Sequence, residues 1–401
     1  MLGLTPVDDV IETLIGMAKP IDDEDSVPIQ DALGRVLSSD VQAAVDVPSF
    51  TNSSMDGYAC CAEDIIAGSS YDVTGRITAG SPAGRLSGGT LVRVFTGAPL
   101  PEGADAVVIQ EDTIQRGDRV VVEAQPRSGD NVRPCGQDIK AGRVILNQGR
   151  RLRPEDLALA ASVGCDRLSV YRRLRVGVLS TGDELVDPPA PLSTGQIYNS
   201  NHYALLGTLT NEGFEARDLG RVEDDHEATR VGLSAAADEV DCIITSGGVS
   251  VGEADHVRDA VMEMGDIDIW RLAIKPGKPL AFGNVKGTAI FGLPGNPVST
   301  FVTCRMIALP YLRRCQGQRD VMPRWLWATA DFSWQTQNRR EYLRVRLLHD
   351  DIGNLRAEVF VEQGSGVMSS VSWADALAMV DVGETLEVGH KIKVYPLLWA
   401  S

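Results

Sequence analysis

The sequence predicts a multidomain α/β plus β protein, with a central parallel-sheet domain, an inserted β domain, a helical domain made from two segments and a C-terminal β-barrel. Three observations predict it. At 401 residues with 43% apolar content, the chain exceeds one ordinary core, and at roughly 100–200 residues per domain it should hold two to four. From Leu174 to about Gln316, apolar strand-like runs alternate with helical segments of about a dozen residues, the pattern of βαβ units on a parallel sheet. The 40 glycines and 20 prolines are spread along the whole chain, so they mark turns between short elements and not disorder.

In chain order, Thr5-Pro6 followed by Asp8 predicts a helix start, with Thr5 as hydroxyl N-cap, proline at the first helical position and an acid near the positive dipole end. Val7, Val10, Ile11 and Leu14 then repeat at helical spacing. A second helix should open at Arg153-Pro154-Glu155 and run through Leu157, Leu159 and Ala161. These helices place residues 1–46 and 135–174 in the two-segment helical domain. Between them, residues 47–134 offer short β-type runs at Leu91 to Phe95, Ala106 to Ile109 and Val120 to Val122, separated by glycine and proline turns. Residues 175–316 carry the alternating pattern: Arg175 to Leu179, Tyr203 to Asn211, Cys242 to Thr245, His256 to Met264, Ala289 to Leu293 and Val298 to Leu309. In residues 317–401 the helical period is lost, and runs at Trp325 to Ala330, Tyr342 to Leu348, Leu355 to Val361, Ala376 to Val382 and Lys391 to Leu397 predict the barrel.

The formal net charge of -17 argues against nucleic acid and anionic membranes as partners, because both attract a clustered basic face. A small anion could still bind where lysines, arginines and backbone N–H groups overcome the surrounding negative field, with help from a divalent metal. Seven cysteines, an odd count without a C-x-x-C pair, fit a reduced cytoplasmic compartment. The first residues have no signal-peptide pattern, and the most apolar stretch, Phe301 to Leu312, is interrupted by Arg305 and Pro310, so no membrane span is expected.

In an open parallel sheet, ligands sit beyond the carboxyl ends of the strands. Three turns fit that place: Ser180 to Glu184, Thr245 to Asp255 with its glycines, and Leu293 to Ser299, where Asn296 should cap a helix beginning at Pro297. Lys275-Pro276-Gly277-Lys278-Pro279 adds two cations in one proline-stiffened loop. Each piece alone is more often a plain turn, a helix cap or a solvated charge. Together on one sheet edge they point to an anion pocket. Carboxylates in turns that could hold a hard divalent cation are Asp56, Asp138, Asp183, Glu184, Asp224, Asp225 and Asp255. The five histidines lack H-x-H or H-E-x-x-H spacing, so zinc is not expected. The absence of G-x-S-x-G and of G-x-x-x-x-G-K-[ST] removes the α/β-hydrolase and P-loop readings.

Phe50-Thr51-Asn52-Ser53-Ser54-Met55-Asp56-Gly57-Tyr58-Ala59 closely resembles the signature of the molybdopterin molybdenumtransferases, the family that includes the E domain of gephyrin. Further matches follow in family order at Phe95 to Pro99, Pro101 to Asp105, Gly136 to Ile139, Ser180 to Glu184, Thr245 to Asp255, Lys275 to Pro279 and Pro294 to Pro297. The resemblance spans Asp31 to about Ser370 and implies insertion of molybdate into adenylated molybdopterin with release of AMP, in a magnesium-dependent homodimer. It implies that residues 175–316 bind molybdopterin, and that the cleft lies between this domain of one subunit and the inserted β domain of the other.

Carried over by motif, Asp56, Asp138, Thr96, Lys275 and Lys278 would be catalytic: Asp56 and Asp138 position the oxyanion, Asp56 and Thr96 act across the dimer, and the lysines neutralise molybdate or phosphate oxygens. Thr181, Ser246, Gly247, Gly248, Ser250, Asn296 and Ser299 would hold the substrate, and Glu184, Asp224 and Asp255 the magnesium. Arg339 or Arg340, with Ser369 and Ser370, would reach the cleft from the barrel. Thr51 stands where the family usually has Asp, and Ser54 where it usually has Ala. Molybdopterin adenylyltransferase and acceptor molybdoenzymes are the expected protein partners. Two other readings are an adenylyltransferase, whose single domain resembles Arg175 to Gln316, and a scaffold that docks partner peptides. The first leaves the Asp56 signature without a purpose; the second needs an exposed apolar groove.

Overall fold

The computed structural model describes residues 4–247 and 256–397. Helix α1 (Val7–Met17) buries Val7, Val10, Ile11 and Leu14, as their spacing requires. Thr5 is not its cap. Pro6 takes the N-cap position with no side-chain bond, while the Thr5 N–H donates to the Arg271 carbonyl at 2.8 Å and its carbonyl accepts from the Ala273 N–H at 2.8 Å. Backbone pairing satisfies this segment better than a hydroxyl cap would. The α1 stripe enters the core that holds Leu174, Val176, Phe291, Leu309 and Leu312.

Segments 1–46 and 135–174 are joined by antiparallel ladders, Glu24–Pro28 with Arg167–Tyr171 and Val41–Gln42 with Val144–Leu146. Helix α2 (Pro154–Ser162) starts at proline as expected, with the Arg153 N–H donating to Asp156 at 3.0 Å. Ala160 of α2 shares a core with Leu37, Leu152 and Leu168. The short ladders hold the two segments together, and α1 packs into the central core.

The inserted region forms one curled sheet from β1 (Gly57–Cys60), β2 (Ser70–Ile77), β3 (Leu91–Val94), β4 (Ala106–Ile109), β5 (Thr113–Arg116) and β6 (Arg119–Val122), in the order β4-β1-β3-β2-β6-β5. Strand β2 makes the bend: Ser70 to Asp72 pair with β6, and Val73 to Ile77 run parallel to β3. The curl leaves two small cores, one around Tyr58, Leu91 and Val120 and one around Val92, Val94 and Val107.

The central sheet uses β7 (Arg175–Thr181), β8 (Glu215–Val222), β9 (Cys242–Ser246), β10 (Ile267–Arg271), β11 (Pro279–Val285) and β12 (Thr288–Leu293), ordered β8-β7-β9-β12-β11-β10. The first four are mutually parallel, and β11 pairs antiparallel with both β12 and β10, so the expected parallel sheet is mixed. The cause is a two-residue hairpin between β11 and β12, in which Lys286 and Gly287 both have positive φ, 52° and 88°, as a type I′ turn requires. Helices α3 (Ser200–Asn211), α4 (His226–Glu239) and α5 (His256–Met264) connect the parallel strands. Helix α6 (Pro297–Thr303) continues through a π-helical stretch, Cys304–Ala308, into α7 (Leu309–Cys315). The wider turn accommodates Pro310, which lacks an N–H to give. Among the described residues no helix is long and apolar enough to cross a membrane.

Strands β13 (Leu326–Ala330), β14 (Arg340–His349), β15 (Leu355–Val359), β16 (Ala376–Val380) and β17 (Lys391–Pro396) close a five-stranded barrel in the order β14-β15-β13-β17-β16, with β16 pairing back to β14. Helix α8 (Met368–Trp373) precedes β16. A short parallel ladder, Ile274 with Arg340 and Lys275 with Glu341, fastens the lysine loop to the barrel. That ladder is what positions the site.

Candidate functional site

Register brings the turns together. Ser180 pairs with Ser246, and Ser246 with Leu293, so the turns after β7, β9 and β12 leave the same carboxyl-end edge. Beside them a cleft of about 570 Å³ opens, lined on the sheet side by Gly247, Lys275, Lys278, Asn296 and Ser299 and on the barrel side by Arg339 and residues 363–365. Of the expected substrate residues, Thr181 and Ser246 are buried at the strand ends, with the Thr181 Oγ1 lacking any partner. Gly248, Ser250 and Asp255 lie outside the described residues.

Asn296 sits at the N-cap position of α6, but its side chain makes no capping bond. Instead Thr300 Oγ1 donates to the Asn296 carbonyl at 3.1 Å and also to the Pro294 carbonyl, Asn201 donates to the Gly295 carbonyl at 2.7 Å, and the Ser365 carbonyl accepts the Val298 N–H at 2.9 Å. The turn is held by its backbone, and the Asn296 amide is left to the cleft. The lysine loop is pressed onto α6: Gly277 has φ +106°, and a Cβ there would lie 2.4 Å from Thr303 Oγ1. Only glycine allows both that backbone and that approach.

Lys278 is exposed, and Lys275 pairs with Glu341, its Nζ 3.1 Å from both carboxylate oxygens. Arg339 lines the cleft, whereas Arg340 does not: its guanidinium is bound by Asp8, at 2.7 Å through each of two nitrogens, and by Asp381 at 3.0 Å. Ser370 is fully buried, accepting from Arg344 Nε at 3.0 Å and donating to the Val367 carbonyl at 2.6 Å. It acts on the interior of the barrel. Residues 363–365 were not foreseen, because Gln363-Gly364-Ser365 reads as an ordinary turn. Arg344 holds that turn, donating to the Gly364 carbonyl at 3.2 Å while Gln363 brackets its backbone.

A second recess, of about 500 Å³, gathers Asp183, Asp187, Glu223, Asp224 and Asp225 around Arg221. Arg221 Nη1 donates to the Gly182 and Leu185 carbonyls, and among the described residues no ion pair joins Arg221 to these acids. Asp225 caps α4, and the Ala228 N–H it accepts at 2.9 Å lowers its pKa. Asp183 accepts the Asp224 N–H at 3.3 Å. Glu184 is exposed and folds over Gly182. Oxygen donors of this kind suit magnesium, although among the described residues no three acids, histidines or cysteines converge on one point.

On the inserted sheet, Asp56 Oδ1 accepts both the Thr96 N–H at 2.8 Å and the Thr96 hydroxyl at 2.9 Å. These bonds, the backbone one first, hold its carboxyl below the usual aspartate range. Asp138 is exposed on the neighbouring loop, and Thr51 Oγ1 ties that loop to the Asp56 segment by accepting the Cys135 N–H at 3.2 Å. Thus the hydroxyl at position 51 has a structural task. Among the described residues, hydrogen bonds of residues 47–134 reach none beyond Ile139, and neither these residues nor Asp138 line the cleft. Asp56, Thr96 and Asp138 are therefore not among the residues that line the Lys275 cleft of the same chain.

Fold and cleft define a multidomain α/β protein with a cleft lined by Lys275, Lys278 and Arg339 between a mostly parallel sheet and a closed barrel. The chain matches the MoeA N-terminal region (domain I and II) over residues 5–164, a probable molybdopterin binding domain over 177–314 and the MoeA C-terminal region (domain IV) over 328–397. It is 41% identical over 294 residues to the molybdopterin molybdenumtransferase of Haemophilus influenzae, covering 73% of each chain. Over 400 residues it is 34% identical to that of a Nostoc species, covering 95% of this chain and 92% of the other. A Pyrococcus horikoshii molybdopterin biosynthesis MoeA structure superposes with a TM-score of 0.80 at 31% identity, covering 98% of this chain and 99% of that one. The protein belongs to the MoeA family.

Proposed function

We infer that this protein is a molybdopterin molybdenumtransferase of molybdenum cofactor biosynthesis, a transferase that inserts molybdate into adenylated molybdopterin and releases AMP. The observation that carries this is the cleft itself: Lys275, Lys278 and Arg339 face amide-lined turns at the carboxyl ends of the sheet, in an otherwise acidic member of this family. Molybdate is a dianion and the adenylated pterin is anionic, so uncompensated repulsion between them would be large in a cleft of low dielectric. Lys275 and Lys278 offset it at the oxyanion, while Thr181, Ser246, Gly247, Asn296 and Ser299, with Gly248 and Ser250, hold the phosphate and adenylate. Two Mo–S bonds form as the dithiol displaces two oxo ligands, which leave as two waters carrying the two thiol protons and two protons from solvent, and hydrolysis of the phosphoanhydride frees AMP. Magnesium, held by Glu184, Asp224 and Asp255, would polarise that anhydride.

Asp56, Thr96 and Asp138 serve the cleft of a second subunit, so the working unit is a homodimer, with chain divisions near residues 47, 135, 175 and 317. A cytoplasmic location follows from the free cysteines, and molybdopterin adenylyltransferase and acceptor molybdoenzymes are the partners in cofactor hand-over. The test is purified protein with adenylated molybdopterin, molybdate and magnesium, following AMP. Molybdate-dependent AMP release is expected; release without molybdate, or formation of the adenylate from ATP, refutes the reading.

A further inference from the structure

Lys275 does not enter the cleft as a free cation. Both oxygens of Glu341 lie 3.1 Å from its Nζ, and Oε2 also accepts the Trp334 indole N–H at 3.1 Å. The Glu341 side chain is 9% exposed and the Lys275 side chain 41%, so the carboxylate is seated behind the ammonium. Lys275 lines the cleft; Glu341 and Trp334 do not. The two backbones are locked as register partners in the ladder that joins the loop to β14. Burying a carboxylate is costly, and an apolar residue would seal the same junction at least as well. Lys278 and Arg339, by contrast, have no carboxylate partner among the described residues.

We propose that Glu341 is a positioning residue for the oxyanion: it fixes the Lys275 ammonium at the cleft wall and, by sharing its charge, sets how tightly the resting cleft holds anions. The proposal rests on the reading of Lys275 as an anion ligand. An arriving dianion shares Lys275 with a carboxylate that cannot withdraw, because Trp334 and the strand hold it. Singly charged anions gain too little from the remaining charge to occupy the site, and an anionic product is not trapped.

The experiment uses the full-length protein and three variants. Glu341→Gln keeps the shape and an acceptor for Trp334 but removes the charge; Glu341→Asp keeps the charge; Lys275→Ala removes the ammonium. Calorimetric titration with molybdate and with sulfate is expected to show about tenfold tighter binding for E341Q and near wild-type binding for E341D. In turnover, E341Q should lower the KM for molybdate while kcat falls about tenfold, since the ammonium is no longer aimed. In a K275A background E341Q should change kcat no further. Unchanged or weaker anion binding in E341Q, or an additional kcat loss on top of K275A, overturns the proposal. Wild-type molybdate KM in K275A would instead sink the role of the lysine, a separate failure. Should E341Q fail to fold, Trp334→Phe removes only the indole donor and is expected to lower kcat roughly threefold; no change there counts against Glu341.

Discussion

If Asp56 of one subunit completes the cleft built around Lys275 of the other, two inactive variants must repair each other. Asp56→Ala and Lys275→Ala homodimers each carry a defect at both clefts. In a hybrid dimer one cleft inherits both defects and the other neither. With free subunit exchange about half of all dimers are hybrids, each with one intact cleft of two, so the mixture should recover about a quarter of wild-type turnover. The expectation agrees with the single chain, in which the Asp56–Thr96 pair is not among the residues lining the cleft, while Lys275 lines it and is tied to β14. The assay co-refolds or co-expresses the two variants and measures AMP release against each parent alone. If the mixture shows only the summed activity of the parents while hybrids are demonstrably present, Asp56 and Lys275 serve the same chain, and the proposed dimer site is wrong.

Gly277→Ala should cost about 2–4 kcal/mol in urea unfolding, from a side chain forced into φ +106° and a Cβ driven to 2.4 Å from Thr303 Oγ1; an unchanged midpoint would show that the loop yields. Asp241 joins the starts of β7 and β9 through Arg172 and Arg175. Burial pushes its carboxyl up, but hydrogen bonds from both arginines outweigh burial and bring it from 3.8 to about 2. Its stabilising contribution is therefore present above about pH 4 and lost as pH falls through about 2. Asp241→Asn should cost about 1–2 kcal/mol at neutral pH after allowing for partial solvent screening, and the gap from wild type should close between those two values in acid titrations followed by circular dichroism. A gap independent of pH there would assign the loss to packing.

What the sequence shows of this fold is whatever depends on near neighbours. The strands Ala106–Ile109 and Cys242–Ser246 and helix α5 are visible because their apolar runs or periods are continuous. Helix α4 escaped notice: it buries Thr229, Leu233 and Ala236, small or polar residues that draw no clear stripe. The antiparallel edge escaped because its turn is Lys286-Gly287, and Lys at a positive-φ position is not a turn signal. At the site, motifs placed Lys275, Asn296 and Ser299 on one cleft. They could not show that Asn296 declines its capping role, that Arg340 is bound by Asp8 332 positions away, or that Glu341 stands behind Lys275. Each of these is settled by contacts between elements distant in sequence, which no local pattern encodes.

The distribution of ion pairs gives the same picture from the opposite direction. In a chain with net charge -17, acids are abundant and an arginine finds a partner cheaply. The junctions show this: Arg172 and Arg175 meet Asp241, Arg313 meets Glu212, Arg150 meets Asp156 and Arg340 meets Asp8. Against that background, Lys278 and Arg339 line one cleft with no carboxylate partner among the described residues. Acids crowd a second recess at Asp183, Glu223 and Asp224, with Arg221 turned to backbone carbonyls. Leaving like charges together on both sides lowers the stability of the empty site, and such a cost is sustained where a ligand supplies the missing sign. An anion in the cleft and a cation in the recess would neutralise both, as the proposed adenylate and its magnesium would do. The separation of these cations from these acids at the carboxyl ends of the sheet is thus the pattern that the proposed function would require.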